Sequence, residues 1–160
     1  MQFNIDLEMK KVLFVCLGNI CRSPLAEALF NKHVAEAGLE QQYIADSCGT
    51  AAYHIGEQPD SRSRANAQEN GLNYAHQARQ ISVEDFNEFD LIIPMDASNM
   101  SNLEKVNQGG RATVQLMRDY DAGFEGTDVP DPYFGGDRGF QNVFNILDRS
   151  TKALLDGIEG

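Results

Sequence analysis

The 160-residue chain is short of cations: 13 lysines and arginines stand against 24 aspartates and glutamates, a formal net charge of −11. That balance repels nucleic acid and anionic membranes at long range, so neither is expected as a partner. Any phosphate site must then be a local positive feature on an acidic surface. Cysteine is scarce as well. Three residues, an odd count without zinc-like pairs, argue against a secreted disulfide scaffold. No apolar run approaches a membrane span, and no basic stretch followed by a long apolar one opens the chain; a cytoplasmic location is expected. Internal repeats, low-complexity tracts and composition breaks are missing too. With 42% hydrophobic residues, the length suits one globular domain with a real core.

What is present is concentrated in KVLFVCLGNICRSPLAEALF, residues 11–30. Val12, Leu13, Phe14 and Val15 form the continuous apolar run of a fully buried strand, which stops where Gly18-Asn19 permits unusual backbone angles. Ser23 is a good N-cap and Pro24 suits a first helical position. Leu25, Ala28, Leu29, Val34 and Ala35 then recur at helical spacing until Gly38. A strand therefore feeds a loop that opens a helix, whose N-terminal amides and macrodipole favour an anion. Thiols beside helix N-termini and arginines are held as the reactive thiolate, which makes Cys16 a candidate nucleophile. Arg22 offers a planar fork that matches two phosphate oxygens and stabilises charge during in-line transfer, so no metal or other cofactor is required.

Farther along, YIADS at 43–47, DLIIPM at 90–95 and ATVQL at 112–116 read as strands. Helical patterns begin near Asp60, Ser82, Ala97 and Asp137. The alternation predicts an α/β domain: a parallel sheet with helices on both faces and ligands at the carboxyl ends of the strands.

The segment CLGNICRSP resembles the signature of the low-molecular-weight protein tyrosine phosphatases, Cys-x5-Arg-Ser near the N-terminus. The likeness continues through DSCGTAAYHIGEQPDSR at 46–62, HQARQI at 76–81, DLIIPMDASN at 90–99 and VPDPYFGGDRGF at 129–140. Residues 10–160 are thus expected to form one phosphotyrosine phosphatase domain, with 1–9 as an N-terminal extension. The resemblance implies a doubly wound four-stranded parallel sheet whose phosphate loop follows the first strand. It implies hydrolysis of phosphotyrosine in proteins, with inorganic phosphate as product. The loop residues Leu17, Gly18, Asn19, Ile20, Cys21 and Arg22 are the expected phosphate binders.

A leaving phenolate needs a proton. Asp131, between Pro130 and Pro132, is kept out of a helix, although Asp-Pro by itself is ordinary turn chemistry. The family's general acid is the Asp of its Asp-Pro-Tyr motif, which falls on Asp131; Asp128, outside that motif, is the nearby competitor. Asn19 and Ser23 are expected to support the loop, Ser23 also capping its helix, and His76 matches the family histidine that supports the loop asparagine. Asp96 matches a family position too, but N-capping of the following helix explains it. Tyr53 and Tyr133 are expected to wall the cleft around an aromatic ring. Cys21 is the expected redox partner of Cys16, with ordinary packing under the loop as its alternative.

Two relatives of this family set alternatives. Thioredoxin-coupled arsenate reductases require further cysteines after the third helix, and residues 49–160 contain none. Protein arginine phosphatases carry threonine where this chain has Ile20, whose apolar side chain suits an aromatic substrate better.

Overall fold

In a computed structural model of the chain, the structure describes residues 9–132 and 136–160. Four strands form one parallel sheet: β1 (Lys10–Cys16), β2 (Tyr43–Gly49), β3 (Leu91–Pro94) and β4 (Thr113–Val114), in the order β2-β1-β3-β4. Helices α1 (Arg22–Glu36), α2 (Ser61–Glu69), α3 (Asp85–Glu88), α4 (Ala97–Val106) and α5 (Gly136–Glu159) complete the fold, with a 3-10 turn at Met117–Tyr120. The expected doubly wound α/β sheet is the one found.

The central strand shows why its sequence reads as a continuous apolar run. Val12 and Phe14 pack into a core with Leu29 and Phe30 of α1 and Phe144 and Leu147 of α5. Leu13 and Val15 point the other way, onto Phe86, Ile92 and Leu103. A strand covered on both faces cannot alternate with polar residues. Each such buried Leu or Phe contributes roughly 1.5–3 kcal/mol relative to exposure.

Register carries the site. Val15 of β1 sits opposite Cys48 of β2 and Pro94 of β3, so Cys16 and Asp96 emerge at the same carboxyl-terminal edge. Among the described residues no helix is long and apolar enough to cross a membrane.

Three local expectations differ. The helix after the loop begins at Arg22, not after a Ser23 cap, and Cys21 at its N-cap position makes no side-chain cap bond. The Ser23 hydroxyl is used elsewhere, as described below. The pattern beginning at Ser82 yields only a four-residue helix, because Ser82 lies in a turn whose N–H donates to Asp85 at 2.8 Å. ATVQL shortens to the two-residue edge strand Thr113–Val114.

Candidate active site

Residues 16–22 turn tightly between β1 and α1. Their outward carbonyls are held from outside: Cys16 O accepts from Thr50 N at 2.9 Å, Leu17 O from Ala51 N at 3.0 Å and Ile20 O from Asp60 N at 2.8 Å. Asn19 takes the left-handed conformation with φ 59°, which Asn tolerates better than other non-glycine residues. At Gly18 the constraint is space, since a side chain there would require the His54 ring to shift. A Cβ there would meet the His54 ring at 2.9 Å.

Asn19 is the internal brace. It is fully buried, donating from Nδ2 to Ser23 Oγ at 2.8 Å and to Ser47 Oγ at 3.1 Å. Its Oδ1 accepts from the Arg79 backbone N–H at 3.0 Å, which fixes the amide orientation because that N–H can only donate. His76 Nε2, 2.9 Å from the same oxygen, therefore carries its proton there. The other edge of the ring faces Glu27 Oε1 at 3.4 Å. Burial, aided by Arg79 and opposed by Asp46, lowers the His76 pKa. Burial also pushes Glu27 up to about 7, although the Ser47 hydroxyl bonds its carboxylate at 2.8 Å. Asn19, Ser23 and His76 are thus joined in one connected set of bonds. Ser47 and Glu27, which sequence reasoning missed, belong to it.

Ser23 Oγ lies 3.0 Å from Cys16 Sγ and reaches the Cys48 carbonyl at 3.3 Å. The hydroxyl serves the thiol in place of the helix end. Cys16 itself is 3% exposed.

Arg22, equally buried, donates from Nη1 to Asp96 Oδ2 at 2.7 Å and to the Val129 carbonyl at 3.0 Å. Its Nη2 lies 3.9 Å from Asp131 Oδ2. Burial opposes the guanidinium's charge, but Cys16, Asp96 and Asp131 together raise its pKa. Asp96 does cap α4, accepting from Asn99 N at 2.7 Å, yet its second oxygen orients the arginine. The signal available was positional: Asp96 follows β3 as Cys16 follows the neighbouring β1.

Cys16, Arg22 and Asp131 open on one cavity of about 190 Å³, with Ile20, Tyr53 and His54 on its wall. Asp128 does not line it. Its carboxylate accepts from Ala97 N at 3.0 Å. Tyr53 is 74% exposed at the rim, while Tyr133 lies outside the described residues. Cys21 also lines the cavity, and burial, then Asp60, pushes its thiol up to about 12.

Residues 11–159 match the family described as low molecular weight phosphotyrosine protein phosphatase. The chain is an enzyme of that family. The fission yeast Schizosaccharomyces pombe member is 48% identical over 147 residues, covering 90% of this chain and 94% of its own. The crystal structure of a protein tyrosine phosphatase from Entamoeba histolytica, with Hepes in its active site, is 40% identical. It superposes with a TM-score of 0.89 over 94% of this chain and 97% of that one. A Drosophila arginine phosphatase is 34% identical, with a TM-score of 0.87 over 94% and 98% of the two chains. The match to the family model runs from β1 to the last residue of α5.

Proposed function

We propose that this phosphatase hydrolyses phosphotyrosine in proteins, without a metal, through a phosphocysteine intermediate. The observation that carries the reading is the convergence of Cys16, Arg22 and Asp131 on one small cavity. In the first step the Cys16 thiolate attacks phosphorus; the sulfur–phosphorus bond forms as the bond to the aryl oxygen breaks. Arg22 and the amides of residues 17–22 hold the three equatorial oxygens, where charge accumulates. Asp131, as an acid, delivers its proton to the departing phenolate. In the second step water attacks phosphorus, Asp131 takes the proton, and thiolate and inorganic phosphate are released. Ser23, 3.0 Å from the sulfur, supports the anion in both steps.

Residues 10–160 are taken as the catalytic domain and 1–9 as an extension preceding it. Tyr53 supplies one wall for the substrate ring, with Tyr133 as the partner inferred from the sequence motif.

The likeness to an arginine phosphatase gives a second reading a specific basis. Ile20, lining the cavity, favours the aromatic substrate. The discriminating experiment compares a phosphotyrosine peptide with its phosphoarginine counterpart in the presence of EDTA. Undiminished turnover with a clear preference for phosphotyrosine is expected; phosphoarginine preference or loss of activity in EDTA contradicts the proposal.

A further inference from the structure

The segment ahead of Asp131 is pinned at residues 128 and 129. Val129 N donates to the Met95 carbonyl at 2.8 Å, and the Val129 carbonyl accepts from Arg22. Asp128 Oδ1 accepts from Ala97 N, and the Asp128 carbonyl accepts from Arg118 Nη1 at 3.2 Å. Three of these partners belong to the frame of the site: the residue that follows β3, the start of α4 and the proposed phosphate clamp. Arg118 does not. It stands on the 3-10 turn, 8% exposed, and is not among the residues that line the cavity.

Two further contacts hold its guanidinium. Arg118 Nε donates to Asp121 Oδ2 at 3.0 Å, and the guanidinium lies 4.3 Å from the centroid of the Phe124 ring. Asp121, itself 3% exposed, receives Arg149 of α5 through two bonds of 2.8 and 3.1 Å. If the turn needed only to be tied to α5, the Arg149–Asp121 pair would suffice. Arg118 adds a bond from that rigid unit to a backbone carbonyl three residues before Asp131. Between them Pro130 locks φ near −65°, which reduces the slack between the pinned stretch at 128–129 and the carboxyl. A misplacement of about 1 Å is enough to cost a catalytic group much of its effect.

We propose that Arg118 is a positioning residue for the general acid: it holds the Asp128 carbonyl so that Asp131 meets the leaving oxygen. The inference rests on the reading of Asp131 as that acid. Arg118→Lys keeps a cation beside Asp121 but lacks the fork needed to reach the carbonyl as well.

The test is kcat/KM over aryl phosphates of graded phenol acidity, for wild type, Arg118→Gln, Arg118→Lys, Arg149→Gln and Asp131→Ala. For Arg118→Gln a loss of about tenfold is expected on phenyl phosphate, a fraction of what removing the acid costs. On a dinitrophenyl phosphate the loss should be under about twofold, because that phenol leaves without a proton. Inhibition by inorganic phosphate should not change. Arg149→Gln breaks the same Asp121 cluster without touching the Asp128 carbonyl, and should lower the melting temperature while leaving the leaving-group dependence as in wild type. Arg118→Lys carries the same expectation as Arg118→Gln, and serves if the glutamine variant does not fold. A uniform loss across the series in the Arg118 variants, or the same steepening in Arg149→Gln, overturns the proposal while a steep Asp131→Ala leaves the acid assignment standing. A flat Asp131→Ala overturns both.

Discussion

At the scale of single residues the two loop cysteines differ sharply. Cys16 faces Ser23 and Arg22, whereas Cys21 is kept as a protonated thiol by burial and by Asp60. The proposed redox pairing therefore has a kinetic signature. In that pairing peroxide would convert the Cys16 thiolate to a sulfenic acid; Cys21 would then condense with it, expelling water and leaving a disulfide that added thiol reduces. Since attack requires the thiolate, a Cys21 pushed to about 12 should resolve slowly at neutral pH and faster as pH rises. Inorganic phosphate should protect by filling the loop. Recovery with reductant after peroxide should be much poorer in Cys21→Ser, and peptide mapping should find Cys16 joined to Cys21. Full recovery of that variant, or linkage of Cys16 to the fully buried Cys48, counts against the pairing.

At the scale of elements, the left-handed step in the loop between β1 and α1 falls on Asn19, with φ 59°. Two contributions are separable there. Replacing Asn19 with Gly keeps access to φ 59° but loses the bonds to Ser23, Ser47, His76 and Arg79. Replacing it with Ala loses the bonds and pays for the left-handed backbone as well, roughly 1–2 kcal/mol more. Denaturant unfolding should accordingly rank wild type above Asn19→Gly and Asn19→Ala lowest; equal stability of the two variants would mean the backbone angle is not strained. Element by element, the sequence was legible where burial was two-sided. β1 declares itself because both its faces are covered, and the motif residues Cys16 and Arg22 follow from it. β4 was overread because only two residues of ATVQL pair with β3. The surroundings of Cys16 were legible only where neighbours in sequence are neighbours in space. Asp96, Ser47, Glu27 and Arg118 reach their partners across 74, 28, 49 and 10 positions, and no local pattern marks such contacts.

At the scale of the whole molecule, one half-buried acid should leave a trace in folding stability. Glu27 is raised from an ordinary 4.5 to about 7 by burial, with the Ser47 bond and Arg79 opposing and Asp46 adding. Between those values the folded protein retains a proton that the unfolded chain has lost. Its contribution therefore makes stability fall as pH rises through about 4.5 to 7. Asp60, Asp90 and Asp121, whose carboxyls are lowered against burial by arginine partners, act with the opposite sign in more acid solution. Chemical denaturation at pH 5 and pH 8 should show wild type losing more than Glu27→Gln over that interval, by on the order of 3 kcal/mol at most. An identical pH dependence in the two proteins would place the Glu27 proton elsewhere.

The central claim concerns the whole catalytic cycle, a covalent phosphocysteine at the carboxyl end of β1. It is tested most directly by mixing Asp131→Ala enzyme with a rapidly leaving aryl phosphate, quenching in acid and mapping the phosphoryl group by mass spectrometry. Without Asp131 to activate water, the intermediate should accumulate, with one phosphoryl group per chain on Cys16 and none in Cys16→Ser. Phosphate released with no covalent intermediate on the chain, or a phosphoryl group on any other residue, would contradict the mechanism.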